Sequence, residues 1–279
     1  MTYGTIVVCG GGCYGGYYVR QLARARAAGA LSFERILVVD RDAACRVARL
    51  VECIHRGDAT GIAACGWSLA RANGDRDADA PDPAYATLPI RFVTAEWQPF
   101  FADWFAAAIA SPAMTAHDAV VPSPLMPHLL ADWVASRVAL HRPGAVIERV
   151  ALSVRPATPW ERTGADHAHY ASFATWMCPI NCIEPPRCPE TRGTRDWTMP
   201  VAVRLAATRA AEQGTPYDVI ALFHTTHRAY GVGMFSVTDA LETETAIRRT
   251  ADTGSAARAL VASVSHCHGA LAALVWRDP

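Results

Sequence analysis

The 279-residue chain contains no lysine; all 26 of its basic residues are arginines. That absence removes Schiff-base catalysis, pyridoxal phosphate chemistry and the Walker A phosphate loop, each of which needs a lysine amine. Net charge is absent too, because 26 acidic residues balance the arginines. No field of one sign would hold the molecule on nucleic acid or on an anionic membrane. Long hydrophobic runs are also missing. Gly, Pro or a charge interrupts each apolar stretch well before the roughly twenty residues that span a bilayer, and the run at residues 5–9 is too short for the core of an export signal. The expectation is a cytoplasmic protein with neither a nucleic-acid nor a membrane partner.

What is present is a composition 51% hydrophobic, enough to bury a large core as one domain or as two halves. The nine cysteines form an odd set in a chain too long to need disulfide staples, so they read as core residues or metal ligands. Self-similar repeats are not found.

Residues 5–9 form a short apolar run, followed at once by Gly10-Gly11-Gly12-Cys13-Tyr14-Gly15-Gly16 and a helical pattern through Val19, Leu22 and Ala23. A second apolar run at 35–39 ends in Asp40, and residues 42–53 carry Ala44, Val47, Leu50 and Val51 on one helical face. Strand, glycine turn, helix, strand and acid come in the order that a nucleotide-binding βαβ unit requires. Gly10 would permit the tight turn, Gly12 would let a pyrophosphate approach the backbone, and Gly15 would let the helix pack on the strand. Cys13 and Tyr14 lie between them, at the helix N-terminus where phosphate would sit. Asp40 would accept hydrogen bonds from the adenosine ribose, which favours NAD over NADP, while Arg41 is placed to stack on adenine or neutralise a 2′-phosphate.

Further strands are expected at 91–95, 119–121, 146–154, 218–223 and 259–264, with helices at 97–109, 128–140 and 200–213. Residues 57–83 read as loops around one strand near 61–64, and 155–199 as irregular chain. The aromatic group Trp97, Phe100, Phe101, Trp104 and Phe105 has helical spacing and reads as core or subunit interface. The fold class is α/β: a Rossmann-type parallel sheet in a dinucleotide-binding domain, residues 1–143, then an α/β half, residues 144–279, containing a Pro/Cys-rich loop.

That loop, Cys178-Pro-Ile-Asn-Cys182-Ile-Glu184-Pro-Pro-Arg-Cys188-Pro, places three thiols on a proline-stiffened segment that costs little further entropy to organise round a metal. A proline after a ligand cysteine also occurs in iron-sulfur loops, but the spacings match neither a ferredoxin run nor a zinc ribbon. The expected centre is therefore zinc or an iron-sulfur cluster held by Cys178, Cys182 and Cys188. Cys267 is the fourth ligand, with His266, His268, His167 or His169 as alternatives, and Glu184 is a ligand or a supporting group. His224 and His227 follow a strand end and are the candidates for proton transfer. Cys9 reads as core. Cys13 is the outside candidate for a redox thiol, and Ser123 with His128 lacks the spaced carboxylate of a hydrolase triad.

The glycine-turn segment, to about residue 42, resembles the NAD(P)-binding Rossmann superfamily. That resemblance implies a ligand class and no particular reaction. The Cys-Pro-x-x-Cys-x-Glu-Pro pattern, followed far downstream by Cys267-His268-Gly269, resembles an uncharacterised prokaryotic family that also begins with a Rossmann unit, and it implies architecture alone. The resulting expectation is an NAD-dependent oxidoreductase, open to homo-oligomer formation, acting on a small molecule beside a cysteine-ligated metal or iron-sulfur centre. The alternatives are a non-catalytic NAD or redox sensor whose metal loop is structural and, with less weight, an S-adenosylmethionine-dependent methyltransferase.

Overall fold

The computed structural model describes residues 1–72, 85–123, 128–174, 182–253 and 256–278. The chain is α/β and builds two mixed sheets. The first begins with β1 (Thr2–Cys9), β2 (Ser32–Asp40), β3 (Ile90–Thr94) and β4 (Ala119–Val121), parallel and in the spatial order 3-2-1-4. This matches the first four strands of the doubly wound order 3-2-1-4-5-6. Two antiparallel strands, β10 (Val232–Ser236) and β9 (Thr226–Ala229), then extend the sheet beyond β4. The chain thus returns to the first sheet long after residue 144.

The second sheet has the order β6-β7-β12-β11-β8, with β5 (Val146–Val150) also pairing with β12. Its parallel pair is β8 (Val219–His224) with β11 (Ala256–Val264). β12 (His268–Arg277), β7 (His169–Ser172) and β6 (Trp160–Thr163) are antiparallel.

The layers follow from which face each side chain takes, because successive residues of a strand point to opposite sides. Ile6 and Val8 of β1 pack with α1 (Cys13–Ala27) and α2 (Arg46–Arg56) on the outer face of the first sheet. Val7 and Cys9 pack on the other face, in a cluster that joins α4 (Trp97–Ala110), α6 (Leu129–His141) and α8 (Val237–Thr253) to β8, β11 and β12. These three helices therefore lie between the two sheets. The outer face of the second sheet is closed by α7 (Met199–Glu212), through Met199, Val203 and Ala207 against Leu260 and Ala262. A sheet covered on both faces reads as a continuous apolar run, as residues 5–9 do. In the aromatic group of α4, Phe101 and Phe105 are fully buried, Phe105 packs on Trp133 of α6, and Trp97, Phe100 and Trp104 lie partly buried against the same core.

One expected element is corrected. The strand near 61–64 is instead part of α3 (Ala59–Ala72). Gly57 ends α2 in the left-handed conformation (φ 67°), and Asp58 caps the next helix by accepting the Gly61 N–H at 2.9 Å. A capped, alanine-rich segment that buries Ile62 gains more from helix than from an unpaired strand. Within 155–199, expected to be irregular, β6 and β7 form a hairpin. α5 (Pro112–Thr115) is a single turn. No helix among the described residues is long and apolar enough to cross a membrane.

Candidate functional site

Gly10 has φ 91°, a conformation that favours glycine, and its N–H donates to the Val39 carbonyl at 2.8 Å. This bond ties the turn to the end of β2. A Cβ on Gly15 would lie 1.7 Å from the Gly10 carbonyl oxygen, whereas one on Gly12 would meet nothing within 4 Å. The two glycines serve opposite needs: one lets helix touch strand, the other leaves the backbone open. Helix α1 starts at Cys13 with neither a capping side chain nor an acidic residue in its first turn. The first amides of a helix have no intrahelical acceptor, so this end carries partial positive charge suited to an anion.

Asp40 stands at the same edge. Its Oδ2 accepts the Gly11 N–H at 2.7 Å and its Oδ1 the Asp42 N–H at 2.9 Å, so the carboxylate is held against the glycine turn. Trp97, the first residue of α4, donates its indole N–H to the Val39 carbonyl at 2.8 Å and lies beside Gly10. Arg41 is largely exposed, 4.0 Å from Glu96. Cys13 is exposed. Cys9 is buried, which pushes its thiol up to about 12 against the help of a Ser123 backbone hydrogen bond, so it stays a neutral core residue. A small cleft between the ends of β1, β4 and β11 is lined by Cys9, Pro122, Ser123, Leu129 and Ser263.

A second group of side chains gathers at the C-terminal ends of β8 and β11. Cys267, in the turn between β11 and β12, accepts a short hydrogen bond from the Arg195 guanidinium. Burial works against the charge of Arg195, but Cys267, Cys182 and Cys188 surround it and hold its pKa above the usual arginine value. Arg195 also donates through Nε to the Pro185 carbonyl at 3.0 Å and through its backbone N–H to the Pro186 carbonyl at 2.8 Å, so the proline loop is folded round it. Cys188 is buried; burial opposes its ionisation, but hydrogen bonds from the backbone and side chain of Thr191 hold the thiol below the ordinary range. Cys178 lies outside the described residues. Among the described residues, no group of three or more His, Cys, Asp or Glu side chains stands ready to hold a metal ion.

Glu184 links this loop to the histidines. It adopts φ 52°, a strained conformation for a non-glycine residue, accepts the His266 N–H at 3.2 Å and stands 3.6 Å from Nδ1 of His227. Burial lowers the pKa of His224, opposed by Glu184 and assisted by His266. The His224 N–H donates to Asp239 at 3.2 Å. Gly233 leaves room for the His227 ring, which a Cβ there would meet at 2.9 Å.

The structure thus brings Cys182, Cys188, Cys267, Glu184, His224, His227 and His266 to one end of the second sheet. Three further histidines are engaged elsewhere. His169 is buried in β7 against Thr163 at 3.0 Å, and His167 sits in the preceding turn with φ 63°. His128 pairs with the Tyr170 hydroxyl at 2.7 Å. Arg195 and Asp239 had no mark in the sequence, because an isolated Arg or Asp carries no spacing signal. The strained Glu184 stood inside the cysteine motif.

No curated protein and no solved structure matches the chain. Residues 130–277 match a family profile described as "AF_1314_C: Uncharacterized protein, C-terminal domain", a span that contains the whole cysteine and histidine group and leaves the glycine turn outside. That span is more than half of the 279 residues, and the chain belongs to this family.

Proposed function

We propose that the chain is an NAD-dependent oxidoreductase. The observation that carries this reading is the open Gly12 backbone at the uncapped start of α1, with the Asp40 carboxylate held beside it. That combination suits a pyrophosphate and a ribose at once. NAD, when bound, supplies hydride transfer. The chain's own part is to seat the anion on the first-turn amides, hold the ribose with Asp40, and present the reactive end towards the C-terminal ends of the strands. That edge is where open α/β sheets bind their ligands. Burial favours the neutral form of His224, at the end of β8 in the second sheet, so it can accept a proton, and His227 faces the Glu184 carboxylate.

The soft thiolate donors suit zinc or an iron-sulfur cluster. Cys182, Cys188 and Cys267 converge from segments some eighty positions apart on the Arg195 guanidinium, and Cys178 is four positions before Cys182. These four would hold the centre, with N–H donation from Arg195 to Cys267 offsetting thiolate charge. A second reading, a non-catalytic NAD or redox sensor with a structural metal loop, draws on the burial of Cys188 and Cys267, only 1% and 2% exposed.

The test is thermal-shift titration with NAD, NADP and S-adenosylmethionine, together with metal and acid-labile sulfide analysis of anaerobically purified protein and its Cys182→Ala variant. Stabilisation by NAD, with metal lost in the variant, supports the oxidoreductase. Stabilisation by S-adenosylmethionine alone would overturn it, and tight NAD binding without turnover on any carbonyl or alcohol panel would leave the sensor.

A further inference from the structure

The helices α2 and α3 carry two thiols on facing sides. Cys53 lies on α2, 7% exposed, and its Sγ rests on α3: a Cβ on Gly61 would fall 2.6 Å from it. Cys65 is four residues after Gly61, so both occupy the same face of α3. Both pack in the same apolar cluster. Cys65 is only partly buried, which leaves one sulfur of the pair within reach of a small reagent.

The helices on which they stand are fixed independently of the thiols. The Asp58 N–H donates to the Cys53 carbonyl at 3.0 Å, the Ile62 N–H to the Asp58 carbonyl at 2.8 Å, and Ile62 packs in the same cluster as Cys53. Two thiols on the facing sides of a braced helical hairpin are placed for side-chain rotation to bring them to bonding distance.

We propose that Cys53 and Cys65 are a reversible dithiol–disulfide site whose co-substrate is a low-molecular-weight disulfide. The thiolate of one cysteine attacks the reagent disulfide, forming a mixed disulfide and releasing one small thiol. The second cysteine then displaces the other small thiol, so that the pair loses two hydrogens and the reagent leaves as two thiols. Burial, foremost, and the neighbouring Cys53 hold the Cys65 thiol above its ordinary range, so exchange is slow at neutral pH and the test is read at equilibrium.

The helix that carries Cys53 in its last turn braces the glycine turn at its other end. The same helix begins with the Val47 N–H donating to the Gly11 carbonyl at 3.1 Å, and the Cys45 sulfur covers Gly11. A disulfide would fasten α3 to the helix that braces this turn.

The full chain is equilibrated with oxidised and reduced glutathione, alkylated and mapped by mass spectrometry. The expected result is a Cys53–Cys65 linked peptide that grows with the fraction of oxidised glutathione and disappears in Cys65→Ser and in Cys53→Ala. Oxidation should raise the melting temperature of the parent by roughly 5 °C and leave both variants unmoved. Recovery of both cysteines as alkylated thiols, or each carrying its own glutathione, would overturn the proposal.

Discussion

Gly15 and Gly10 are in backbone contact: a Cβ on Gly15 would lie 1.7 Å from the Gly10 carbonyl oxygen and 2.7 Å from its carbon. Gly15→Ala must therefore push α1 away from β1, and the cost expected for such overpacking is about 3 kcal/mol. Gly12→Ala meets no neighbour within 4 Å and should cost only about 1 kcal/mol, for its less permissive backbone. Urea unfolding should separate the two variants, while both lose NAD affinity in titration. Equal destabilisation would mean that the turn does not hold the helix as described.

Asp40 accepts two backbone N–H groups, from Gly11 and Asp42. In Asp40→Asn one of these donors faces an amide NH2 in place of an oxygen. The glycine turn loosens, and the carboxylate proposed to hold the ribose is gone. NAD affinity should fall about tenfold, and NADP should lose less, because the charge that repels a 2′-phosphate is removed. Isothermal titration of both nucleotides reads the ratio. An unchanged NADP-to-NAD ratio would remove Asp40 from the ribose site.

The glycine turn is legible because its signal is local: a strand, three glycines at fixed spacing and an acid at the next strand end act within forty residues. The same holds for the apolar runs that become β8 and β11, since a short buried run bounded by polar residues leaves few other conformations. β10 is not legible. Its five residues after Tyr230-Gly231 gain their meaning only by pairing with β4, through Phe235 opposite Val120, more than a hundred positions away. The α3 helix is hidden by its glycine and short apolar residues, and it needs the Asp58 cap to be read. In the cysteine group, the thiols stand out by their type, and Cys267 joins them because strand ends are where distant loops meet. Arg195 among them follows from tertiary folding alone.

Glu244 is a buried carboxylate of α8, its side chain 3% exposed, gripped by Arg137 of α6 at 2.8 Å on both oxygens and by His141 at 2.7 Å. Burial works against its charge, but Arg137, His141 and Arg248 outweigh it and depress the carboxyl from 4.5 to about 2. A depressed folded pKa means that this stabilisation is fully present above about pH 4.5 and is lost as pH falls through about 2. Glu244→Gln should unfold at lower urea at pH 7, by about 3 kcal/mol, and the gap from the parent should close progressively below pH 4.5. A gap that stays constant down to pH 3 would mean that the network does not act through charge.

Asp239 has the opposite balance. It lies at the start of the same helix; burial raises its carboxyl from 3.8 to about 6, with Glu242 adding to the rise and the His224 N–H and Arg228 opposing it. A raised folded pKa means that the folded state prefers the protonated form. Stability from this residue is therefore full below about pH 3.8 and is lost as pH climbs through about 6. Asp239→Asn keeps the shape and an oxygen to accept the His224 N–H, and it carries no charge to bury. The variant should be more stable than the parent at pH 8, by about 1 to 2 kcal/mol, and no more stable than it at pH 4. Denaturation at the two pH values reads this directly, and parallel curves would show that Asp239 is not the strained carboxylate. The strain is placed where it holds the end of β8, the strand that carries His224, so Asp239→Asn also asks whether the proton transfer proposed for His224 depends on a charge beneath it.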